Sequence, residues 1–545
     1  MPSVAEFLIE RLENAGVKHV FGVPGDYFLN FIKKLGDSKK IKFVNTTDEN
    51  HAGFAADAYA RVNGIGCVAT TYNVGTLKVC NAVAGAYAER SPMVVISGSP
   101  GLKERNEDFL LHHVVKSFDN QLKMFKHITC YSVILEDATK AGFQIDEALE
   151  ALKYHKQPVY IELPRDVAEM PIKYDVYRQG TPNARISDEQ NLKEAITEVS
   201  DWIATAKNPV IMAGVQLTRC GLGGQLVRWA EKHNIPMVTT LLSKSTVNEY
   251  HPLFAGVYSG PQTSEEVVRK LVDDSDCLLI LGEMLTDMML GFQSPKFNKR
   301  QTVFSAIEGL KVRNHAYNDV LFTDFCKELF KLNLPKKPDP VLPPKRVIEG
   351  FVPEKDKRLT TQRFFEKVNS MLNEKIAVVA DIGEVLFGAS GLVVSHHHFI
   401  SPAFYCSMGL AIPGSLGVAL AKPDVRSVVL VGDGAFQMSH SELSTHLDHK
   451  MNTIVFVLNN KGYTTERFLL EGKFNNIRNW NYHKVTELLG GGIGFLVETE
   501  EELEAAVATA LKSKELAIVN VSVGQTDIST ALRRMVENLS KRVTS

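Results

Sequence analysis

Short apolar runs alternate with segments of helical spacing along almost the whole chain. The first residues, Val4–Ala15, carry apolar side chains at helical intervals and lead into the apolar run His19–Gly22. Comparable runs follow at Val68–Tyr72, Met93–Ser97 and Val159–Leu163. Runs without polar alternation are typical of strands that are buried on both faces of a parallel sheet. The alternation predicts an α/β region in which helices cover both faces of the sheet.

The same alternation returns after two breaks in the pattern. The segment around Tyr174–Ser187 is polar and contains Pro182, and the segment 335–344 has five prolines in ten residues. Proline runs cannot continue a helix or a central strand, so both segments are predicted to be linkers. Strand candidates between the breaks are Val210–Ala213, Met237–Thr240 and Cys277–Leu281. We therefore predict three α/β domains, at residues 1–175, 188–334 and 356–545.

Polar residues follow two apolar runs of the third region. Asp433 lies in the Gly-Asp-Gly sequence after Val428–Val431, and Asn460 follows Thr453–Leu458, with the helical spacing of Leu443, Leu447 and Met451 between them. In a parallel pair both strand ends lie at one edge of the sheet, where open α/β sheets bind ligands. Side-chain oxygens, with a backbone carbonyl from Gly462, suit Mg²⁺, and the glycine-flanked turn suits phosphates. An ordinary βαβ unit with a capping aspartate fits the same pattern.

Composition and charge exclude several classes of protein. The chain has 545 residues, of which 44% are hydrophobic and 23% charged, and its net charge is −2. Without a long basic run, nucleic acid and anionic membranes are poor partners. No apolar stretch approaches the roughly 20 residues of a membrane span, and the N-terminal helix lacks the features of a signal peptide. Seven scattered cysteines without a CxxC pair favour reduced thiols and a cytoplasmic protein.

Several candidate residues have a structural as well as a functional interpretation. Glu49 stands at a predicted helix start, where it would stabilise the helix dipole. Met408 would be an ordinary core residue, and the pair His112-His113 would be structural or exposed. The consecutive histidines 396–398 are expected to diverge rather than bind a metal, and the glycine-rich segment 489–494 is expected to be a turn.

The third region closely resembles the diphosphate-binding motif of thiamine-diphosphate (ThDP) enzymes. The resemblance rests on the Gly-Asp-Gly sequence, on the 27 positions from Asp433 to Asn460, and on the sequence Asn-Asn-Lys-Gly-Tyr at 459–463. It implies Mg²⁺ ligation by Asp433, Asn460 and Gly462. It also implies cofactor contacts from Gly432, Asp433, Gly434, Ala435, Asn460, Gly462 and Tyr463.

Two other segments are similar to parts of the same family. Glu49 precedes the sequence A-x-x-A-D-x-Y-A-R, which resembles the glutamate motif of ThDP enzymes. The resemblance implies that Glu49 bonds N1′ of the aminopyrimidine and favours its imino form. The segment Tyr405–Gly409 corresponds to the family segment beneath the thiazolium. There Met408 would wedge the cofactor, Ser407 would contact it, and the Cys406 carbonyl, where pyruvate decarboxylases commonly have Gly, would bond the 4′-amino group.

Four polar residues resemble the proton-transfer set of the non-oxidative 2-keto acid decarboxylases. His112 and His113 follow Leu111, as the family's histidine pair follows a leucine. Asp26 in Gly-Val-Pro-Gly-Asp matches the partner aspartate, and Glu466 matches the glutamate beside the thiazolium. Acids and histidines around one carbon can deliver protons near neutral pH. The resemblance implies decarboxylation of a 2-keto acid to an aldehyde and CO₂.

The resemblance covers nearly the whole chain and implies pyrimidine-binding, middle and diphosphate-binding domains. It implies a homodimer as the minimum active unit, with a homotetramer expected. Glu384 stands where pyruvate decarboxylases have Thr, and Ala435 replaces a Ser. With Leu386 and Phe387 nearby, we expect a larger aliphatic or aromatic 2-keto acid. A carboligase of the acetohydroxyacid synthase type and a non-catalytic ThDP-binding protein remain as alternatives.

Overall fold

A computed structural model describes residues 1–106, 109–172, 185–344, 348 and 350–543. Residues 174–184 of the predicted first linker lie outside the described residues. The chain divides into two compact units. The first comprises Met1–Ala184, Tyr405–Asp424 and Met438–Thr453, and the second comprises Arg185–Phe404, Val425–Gln437 and Ile454–Ser545.

Strands and helices alternate through both units, as the apolar pattern predicts. The strands are β1 His19–Gly22, β2 Lys42–Asn45, β3 Gly66–Thr70, β4 Met93–Ser99, β5 Tyr131–Ile134, β6 Val159–Pro164, β7 Pro209–Ala213, β8 Met237–Thr239, β9 Phe254–Val257, β10 Cys277–Leu281, β11 Thr302–Ala306, β12 Gly309–Val312, β13 His315–Tyr317, β14 Ile376–Ala380, β15 Phe399–Ile400, β16 Arg426–Gly432, β17 Ile454–Asn459, β18 Ile493–Val497 and β19 Ala517–Ser522. The helices are α1 Val4–Asn14, α2 Leu29–Gly36, α3 Glu49–Asn63, α4 Cys80–Ala88, α5 Asn120–Phe125, α6 Ala138–His155, α7 Glu189–Thr205, α8 Val215–Arg219, α9 Gly223–His233, α10 Glu266–Asp273, α11 Phe322–Leu329, α12 Thr361–Met371, α13 Glu384–Ala389, α14 Ala411–Ala421, α15 Asp433–Ser439, α16 Leu443–Asp448, α17 Thr464–Leu469, α18 Val485–Leu489, α19 Glu500–Lys512 and α20 Thr530–Val543.

The first unit is built on a six-stranded sheet in the order β2-β1-β3-β4-β6-β5. All of its strand pairs are parallel. Helix α3 packs closely on α14, and a Cβ atom at Gly417 would lie only 2.1 Å from the Ala55 carbonyl oxygen. The small residues of α3 therefore serve close helix packing, which holds the residues at its start in a fixed position.

The first sheet of the second unit has seven strands in the order β13-β12-β11-β10-β7-β8-β9. Strands β7 to β11 pair in parallel, whereas β12 and β13 are antiparallel to their neighbours. The two tight turns are Ile307-Glu308, which is followed by Gly309 (φ +154°) at the start of β12, and Arg313-Asn314, in which Arg313 has a φ of +53°. Two-residue connections favour antiparallel pairing. The apolar runs predict the parallel strands but not this antiparallel edge.

The second sheet of the second unit has the order β15-β14-β16-β17-β19-β18, and every pair is parallel. The carboxyl ends of β14, β16 and β17 therefore lie at one edge. Strand β16 passes directly into α15 at Asp433, so the separate Gly-Asp-Gly turn that we expected is absent from this described segment. Helix α16 ends at Asp448, so Met451, which we expected to continue the helical spacing, lies beyond it. The Met451 N–H donates to the His446 carbonyl in the turn that closes the helix.

The proline-rich segment 335–344 contains neither helix nor strand. Lys337 fixes this segment to helices α7 and α9. Its N–H donates to the His233 carbonyl at 2.9 Å. Its ammonium donates to the carbonyls of Ala204 and Ala206 at 3.0 and 2.7 Å. The boundaries of the three domains stay a prediction. Within the described residues, no helix combines the length and the apolar character that crossing a membrane requires.

Candidate active site

Asp26, His112 and His113 meet in the first unit. The Asp26 carboxylate lies 2.8 Å from Nε2 of His112. The two imidazole rings meet edge to face with centroids 4.7 Å apart, and polar atoms of all three side chains lie within 4.8 Å of one another. Imidazole and carboxylate groups at this spacing can exchange a proton, and they could also hold a metal ion.

Two residues that the sequence did not single out support this cluster. The Tyr27 ring stacks on His112 with centroids 4.7 Å apart, and its hydroxyl donates to the His112 carbonyl at 3.2 Å. The Asn73 side-chain amide donates to the His113 carbonyl at 2.7 Å. His113 has a φ of +67°, a left-handed conformation that non-glycine residues adopt at a cost. Because the Asn73 bond is made to the backbone carbonyl, it helps to hold the backbone of His113 in this conformation.

The cluster is open to a small molecule. The side chains of Asp26 and His112 are 43% and 57% exposed. Nδ1 of His113 is buried and, among the described residues, has no hydrogen-bond partner. A buried nitrogen without a partner costs free energy, so a bound ligand that supplies one is favoured here.

Glu49 is the first residue of α3, after the N-cap Asp48, whose side chain accepts the Asn50 N–H at 2.8 Å. Its side chain is 14% exposed and lies 2.8 Å from the Lys78 ammonium. The helix-dipole interpretation is compatible with this position. Lys78 was not predicted, because nothing in the sequence spacing brings the turn before α4 to the start of α3.

The segment Tyr405–Gly409 is fixed by its backbone. The Tyr405 N–H donates to Glu89 at 2.8 Å. Cys406 has a φ of +61°, in the left-handed region that favours glycine. This conformation explains in physical terms why Gly is common at this position in pyruvate decarboxylases. Ser407 is buried and Met408 is half-buried.

Asp433 and Asn460 lie at the same edge of the second-unit sheet. The Asp433 carboxylate is buried and accepts the N–H groups of Gly434 at 2.8 Å and Gly462 at 3.0 Å. Burial raises the pKa of Asp433 to about 6, against the lowering effect of these bonds. The side-chain oxygen of Asn460 is buried and has no partner among the described residues. A carboxylate and a free carboxamide oxygen form a donor set that suits a hard cation.

Glycines allow the two motif segments to approach. A Cβ atom at Gly434 would lie 2.6 Å from the Tyr463 ring, and one at Gly462 (φ +141°) would lie 2.1 Å from the Asn475 carbonyl oxygen. The Gly462 carbonyl accepts the Thr464 N–H at 3.1 Å and keeps a second lone pair for a ligand. Gly432 ends β16, and Ala435 is buried in the first turn of α15.

Two acidic residues of the second unit differ in environment. Glu466 lies in the first turn of α17 and is exposed. Glu384 begins α13, is buried, and accepts the Ser529 N–H at 3.1 Å.

The remaining predicted features have ordinary structural roles. A ring nitrogen of His396 bonds the Ser245 carbonyl at 3.1 Å. Gly490 (φ +73°) ends α18 and Gly492 (φ +86°) follows, so the glycine-rich segment is a turn, as predicted. All seven cysteines are free thiols, also as predicted.

Three family models for thiamine pyrophosphate enzymes match the chain. The N-terminal TPP binding domain matches residues 2–124, the central domain residues 196–321, and the C-terminal TPP binding domain residues 381–521. Together they cover most of the chain, and the first and last contain the two groups of residues described above.

Curated relatives match over nearly their full length. A probable pyruvate decarboxylase of Schizosaccharomyces pombe is 30% identical, with 94% of this chain and 92% of the relative covered. An indole-3-pyruvate decarboxylase of Azospirillum brasilense is 30% identical, with 98% of each covered. An alpha-keto-acid decarboxylase of Mycobacterium tuberculosis is 30% identical, with 99% and 97% covered. The chain belongs to the ThDP-dependent 2-keto acid decarboxylase family of thiamine pyrophosphate enzymes.

Proposed function

We propose that this enzyme uses ThDP and Mg²⁺ to convert a 2-keto acid into an aldehyde and CO₂ without oxidation. The observation that carries the proposal is the contact of 2.8 Å between Asp26 and His112, with His113 beside it. Releasing an aldehyde requires proton delivery to the carbon that has lost CO₂. Neighbouring acids and imidazoles near neutral pH suit that task.

The second-unit residues fit the Mg²⁺ site that the proposal requires. Asp433 supplies a buried carboxylate and Asn460 an oxygen without a protein partner, with the Gly462 carbonyl available as a third ligand. Burial disfavours the ionised carboxylate, and a cation would offset that cost. Mg²⁺ usually keeps few protein ligands and completes its octahedron with water and phosphate oxygens.

ThDP, when bound, supplies an electron acceptor for the electron pair left by CO₂. Among the chain's own residues, Gly432, Gly434, Ala435 and Tyr463 would surround the diphosphate. Glu49 would hold a proton at the aminopyrimidine. The Cys406 carbonyl would accept a bond from the cofactor's amino group, while Ser407 and Met408 would set its conformation. The fixed left-handed backbone at Cys406 supports this positioning.

Four side chains would manage protons on the reacting molecule. Asp26 would orient His112 through its bond to Nε2, and His113 would use its unpartnered Nδ1. Glu466, exposed on α17, would act as a further acid.

In this family the pyrimidine and diphosphate sites come from different subunits. We therefore propose a homodimer as the minimum active unit, and a homotetramer as its assembly.

We favour a larger aliphatic or aromatic 2-keto acid as substrate. One relative is named for indole-3-pyruvate, although others are named for pyruvate. Helix α13 carries the buried Leu386 and Phe387. Phe387 lines a cavity of about 320 Å³ together with Leu241, Met288, Phe365 and Met535. Its lining includes none of the residues proposed above for the cofactor or for proton transfer, so the preference for a larger 2-keto acid rests on Leu386, Phe387 and the relatives, and not on this volume. Seven free thiols support a reducing compartment, and we propose the cytoplasm.

The substrate class is tested with the purified holoenzyme on short, branched, long-chain and aromatic 2-keto acids, by measuring CO₂ and organic product together. A higher kcat/KM on branched or aromatic acids supports the proposal, and a preference for pyruvate contradicts the substrate class.

Met408 favours carboligation as the second candidate. CO₂ accompanied mainly by acyloin or acetohydroxy acid would establish that reaction instead.

A further inference from the structure

Four buried polar side chains meet near the carboxyl edge of the first-unit sheet. Ser97 on β4 pairs with Glu162 on β6, and Tyr160 stands two residues before Glu162, so its side chain lies on the same face of the sheet. Gln121 reaches them from the first turn of α5. All four residues are 0% exposed. Since polar groups are costly to bury without partners, the side chains of this cluster must satisfy one another.

Gln121 connects the cluster. Its amide nitrogen donates to the Ser97 hydroxyl at 2.8 Å and to the Tyr160 hydroxyl at 2.5 Å. Tyr160 donates in turn to one oxygen of Glu162 at 2.7 Å, and the other oxygen lies 3.3 Å from the Arg105 guanidinium. The bonds therefore run in one direction, from the Gln121 amide to a carboxyl group that an arginine contacts.

The oxygen of the Gln121 amide extends the cluster to Asn73. Gln121 Oε1 accepts the backbone N–H of Asn73 at 2.7 Å. A backbone N–H can only donate, so this bond also fixes which end of the amide faces Asn73. The Asn73 side chain then donates to the His113 carbonyl at 2.7 Å. We refer to the connected residues as the Gln121 network: Asn73, Ser97, Gln121, Tyr160 and Glu162.

The contact between Asn73 and His113 joins two strained residues. Both have a left-handed backbone, with φ of +50° and +67°. This conformation costs free energy in residues other than glycine, although asparagine tolerates it better than most. The Oδ1 atom of Asn73 is also buried and has no hydrogen-bond partner among the described residues. Backbone strain persists only where neighbouring groups hold it, and it is concentrated at functional sites. These costs indicate that the contact serves a purpose other than stability.

The residue before Asn73 holds the other end of the same loop. Tyr72 is fully buried, and its hydroxyl donates to the Phe118 carbonyl at 2.9 Å. Phe118 follows His113 in the loop that leads to α5. The turn after β3 thus fixes this loop at His113 through Asn73 and at Phe118 through Tyr72. Gln121 fixes the turn itself, because it holds the backbone of Asn73.

We propose that Gln121 is a positioning residue for proton delivery, which acts through Asn73 to hold the His113 imidazole in its working orientation. The proposal rests on the proposed function, because it takes His113 as a group that delivers a proton to the reacting carbon. Gln121 itself transfers no proton. A network that only stabilised the core would leave the order of product release in the folded enzyme unchanged. A displaced catalytic group would not, since a shift of about 1 Å can cost ~10²-fold in rate.

Two variants break the network at different points. Asn73→Gly removes the bond to His113, and glycine adopts the left-handed backbone freely. Gln121→Leu removes the bonds of the amide at similar volume. In single-turnover experiments with the enzyme loaded with Mg²⁺ and ThDP, both should delay aldehyde release roughly 10- to 100-fold and leave CO₂ release near the wild-type rate. Gln157→Leu is the matched control: it removes a buried amide of the same unit that donates to the Tyr87 carbonyl at 3.0 Å, and both products should appear as in the wild type.

A double-variant cycle separates positioning from stability. In the His113→Ala background the imidazole is gone, so Gln121→Leu should delay aldehyde release no further. Additive delays would show that Gln121 acts independently of His113 and would overturn the proposal. If His113→Ala alone releases aldehyde at the wild-type rate, the role of His113 in the proposed function is overturned instead.

Histidine NMR provides a readout besides turnover. The ring signal of His113, identified by its loss in His113→Ala, is followed in cofactor-free protein labelled at histidine Cε1. The signal should move in Asn73→Gly and in Gln121→Leu and stay in place in Gln157→Leu. An unmoved signal in both network variants would contradict the positioning of the ring.

Tyr160→Phe keeps the test decisive if Gln121→Leu does not fold. It removes the hydroxyl that Gln121 contacts but keeps the ring, which stacks on Phe125 with centroids 4.6 Å apart. The delay in aldehyde release should be smaller than in Asn73→Gly, because Ser97 still accepts from the Gln121 amide. Wild-type aldehyde release in both Asn73→Gly and Tyr160→Phe, with His113→Ala impaired, overturns the proposal and leaves the proposed function standing.

Discussion

The buried carboxylate of Glu89 joins the backbone N–H of Tyr405 to the guanidinium of Arg61. One oxygen accepts from Tyr405 at 2.8 Å and the other from Arg61 at 2.6 Å. Arg61 also donates to both oxygens of Asp57 at 2.9 and 2.8 Å. The Asp and Arg of the glutamate motif on α3 thus form a buried ion network, and through Glu89 this network fixes the segment that contains Cys406.

Glu89→Ala should destabilise the protein and loosen the Cys406 segment. The substitution leaves Arg61 buried with one carboxylate instead of two and frees the Tyr405 N–H. Breaking a buried ion pair typically costs about 3–5 kcal/mol of unfolding free energy. Denaturant titration measures the free energy of unfolding, and a binding titration measures the affinity for ThDP. Both quantities should fall. Glu10→Ala, an exposed change on α1, is the control. Unchanged ThDP affinity in folded Glu89→Ala would show that the segment keeps its position without Glu89.

Glu49→Gln should bind ThDP and yet turn over at least ~10²-fold more slowly, because an amide cannot exchange the proton held at the aminopyrimidine. The measurement compares CO₂ release with ThDP binding in the same preparation. Glu10→Gln provides the matched control for loss of a carboxylate. Full activity in Glu49→Gln would remove Glu49 from cofactor activation.

His113→Ala should slow aldehyde release about 10²- to 10⁴-fold, the range for a lost general acid. Since loss of CO₂ precedes the protonation, a single-turnover experiment should release CO₂ faster than aldehyde. His127→Ala, at an exposed histidine of the same unit, should behave like the wild type. Equal, unimpaired release of both products would exclude His113 from proton delivery.

Asn460→Leu should abolish Mg²⁺-dependent ThDP binding, because it removes the unpartnered oxygen at nearly constant volume. Asn459→Leu is the control at the preceding residue: the Asn459 amide donates to Asn520 at 3.1 Å, but its oxygen is likewise buried without a partner among the described residues, so the two variants differ in the position of the oxygen they remove. Chelation of the metal should reproduce the Asn460→Leu result in the wild type. ThDP binding that survives chelation would contradict the Mg²⁺ site.

The same site predicts a dependence on pH. In the proposed site the cation would bind the ionised carboxylate of Asp433, and burial raises the pKa of that group in the metal-free protein to about 6. Mg²⁺ affinity should therefore be constant above that value and fall about tenfold per pH unit below it. The ionised group costs stability because its folded pKa is raised, so metal-free protein should lose stability as the pH rises from about 4 to about 6. Calorimetric Mg²⁺ titrations test how the affinity changes with pH, and unfolding curves of the metal-free protein test how its stability changes with pH.

The apolar runs predicted most of the strands because strands buried on both faces must be apolar along their whole length. Cys277–Leu281 is predicted with its observed bounds, whereas Val68–Tyr72 is shifted, since the strand ends at Thr70. The antiparallel edge of the middle sheet depends on short turns, which leave little trace in hydrophobicity.

The motif spacing and the family resemblance predicted the residues of both groups, the Asp26–His112–His113 cluster and the Asp433–Asn460 pair. They did not predict the residues that support these groups. Tyr27, Lys78 and Glu89 act through contacts between segments far apart in the sequence, so no local pattern marks them. The left-handed backbone at Cys406 was also hidden, because the residue there is not glycine. Asp57 and Arg61 belong to the sequence motif that follows Glu49, but the motif alone did not show that they form an ion pair.

The ratio of aldehyde to CO₂ tests the central claim most directly. The holoenzyme, supplied with Mg²⁺ and ThDP, is given the 2-keto acid that it converts fastest, and both products are quantified over the same interval. Non-oxidative decarboxylation predicts one aldehyde for each CO₂, and no turnover without the cofactor. CO₂ with mainly acyloin or acetohydroxy acid, or cofactor binding without any CO₂, would contradict it.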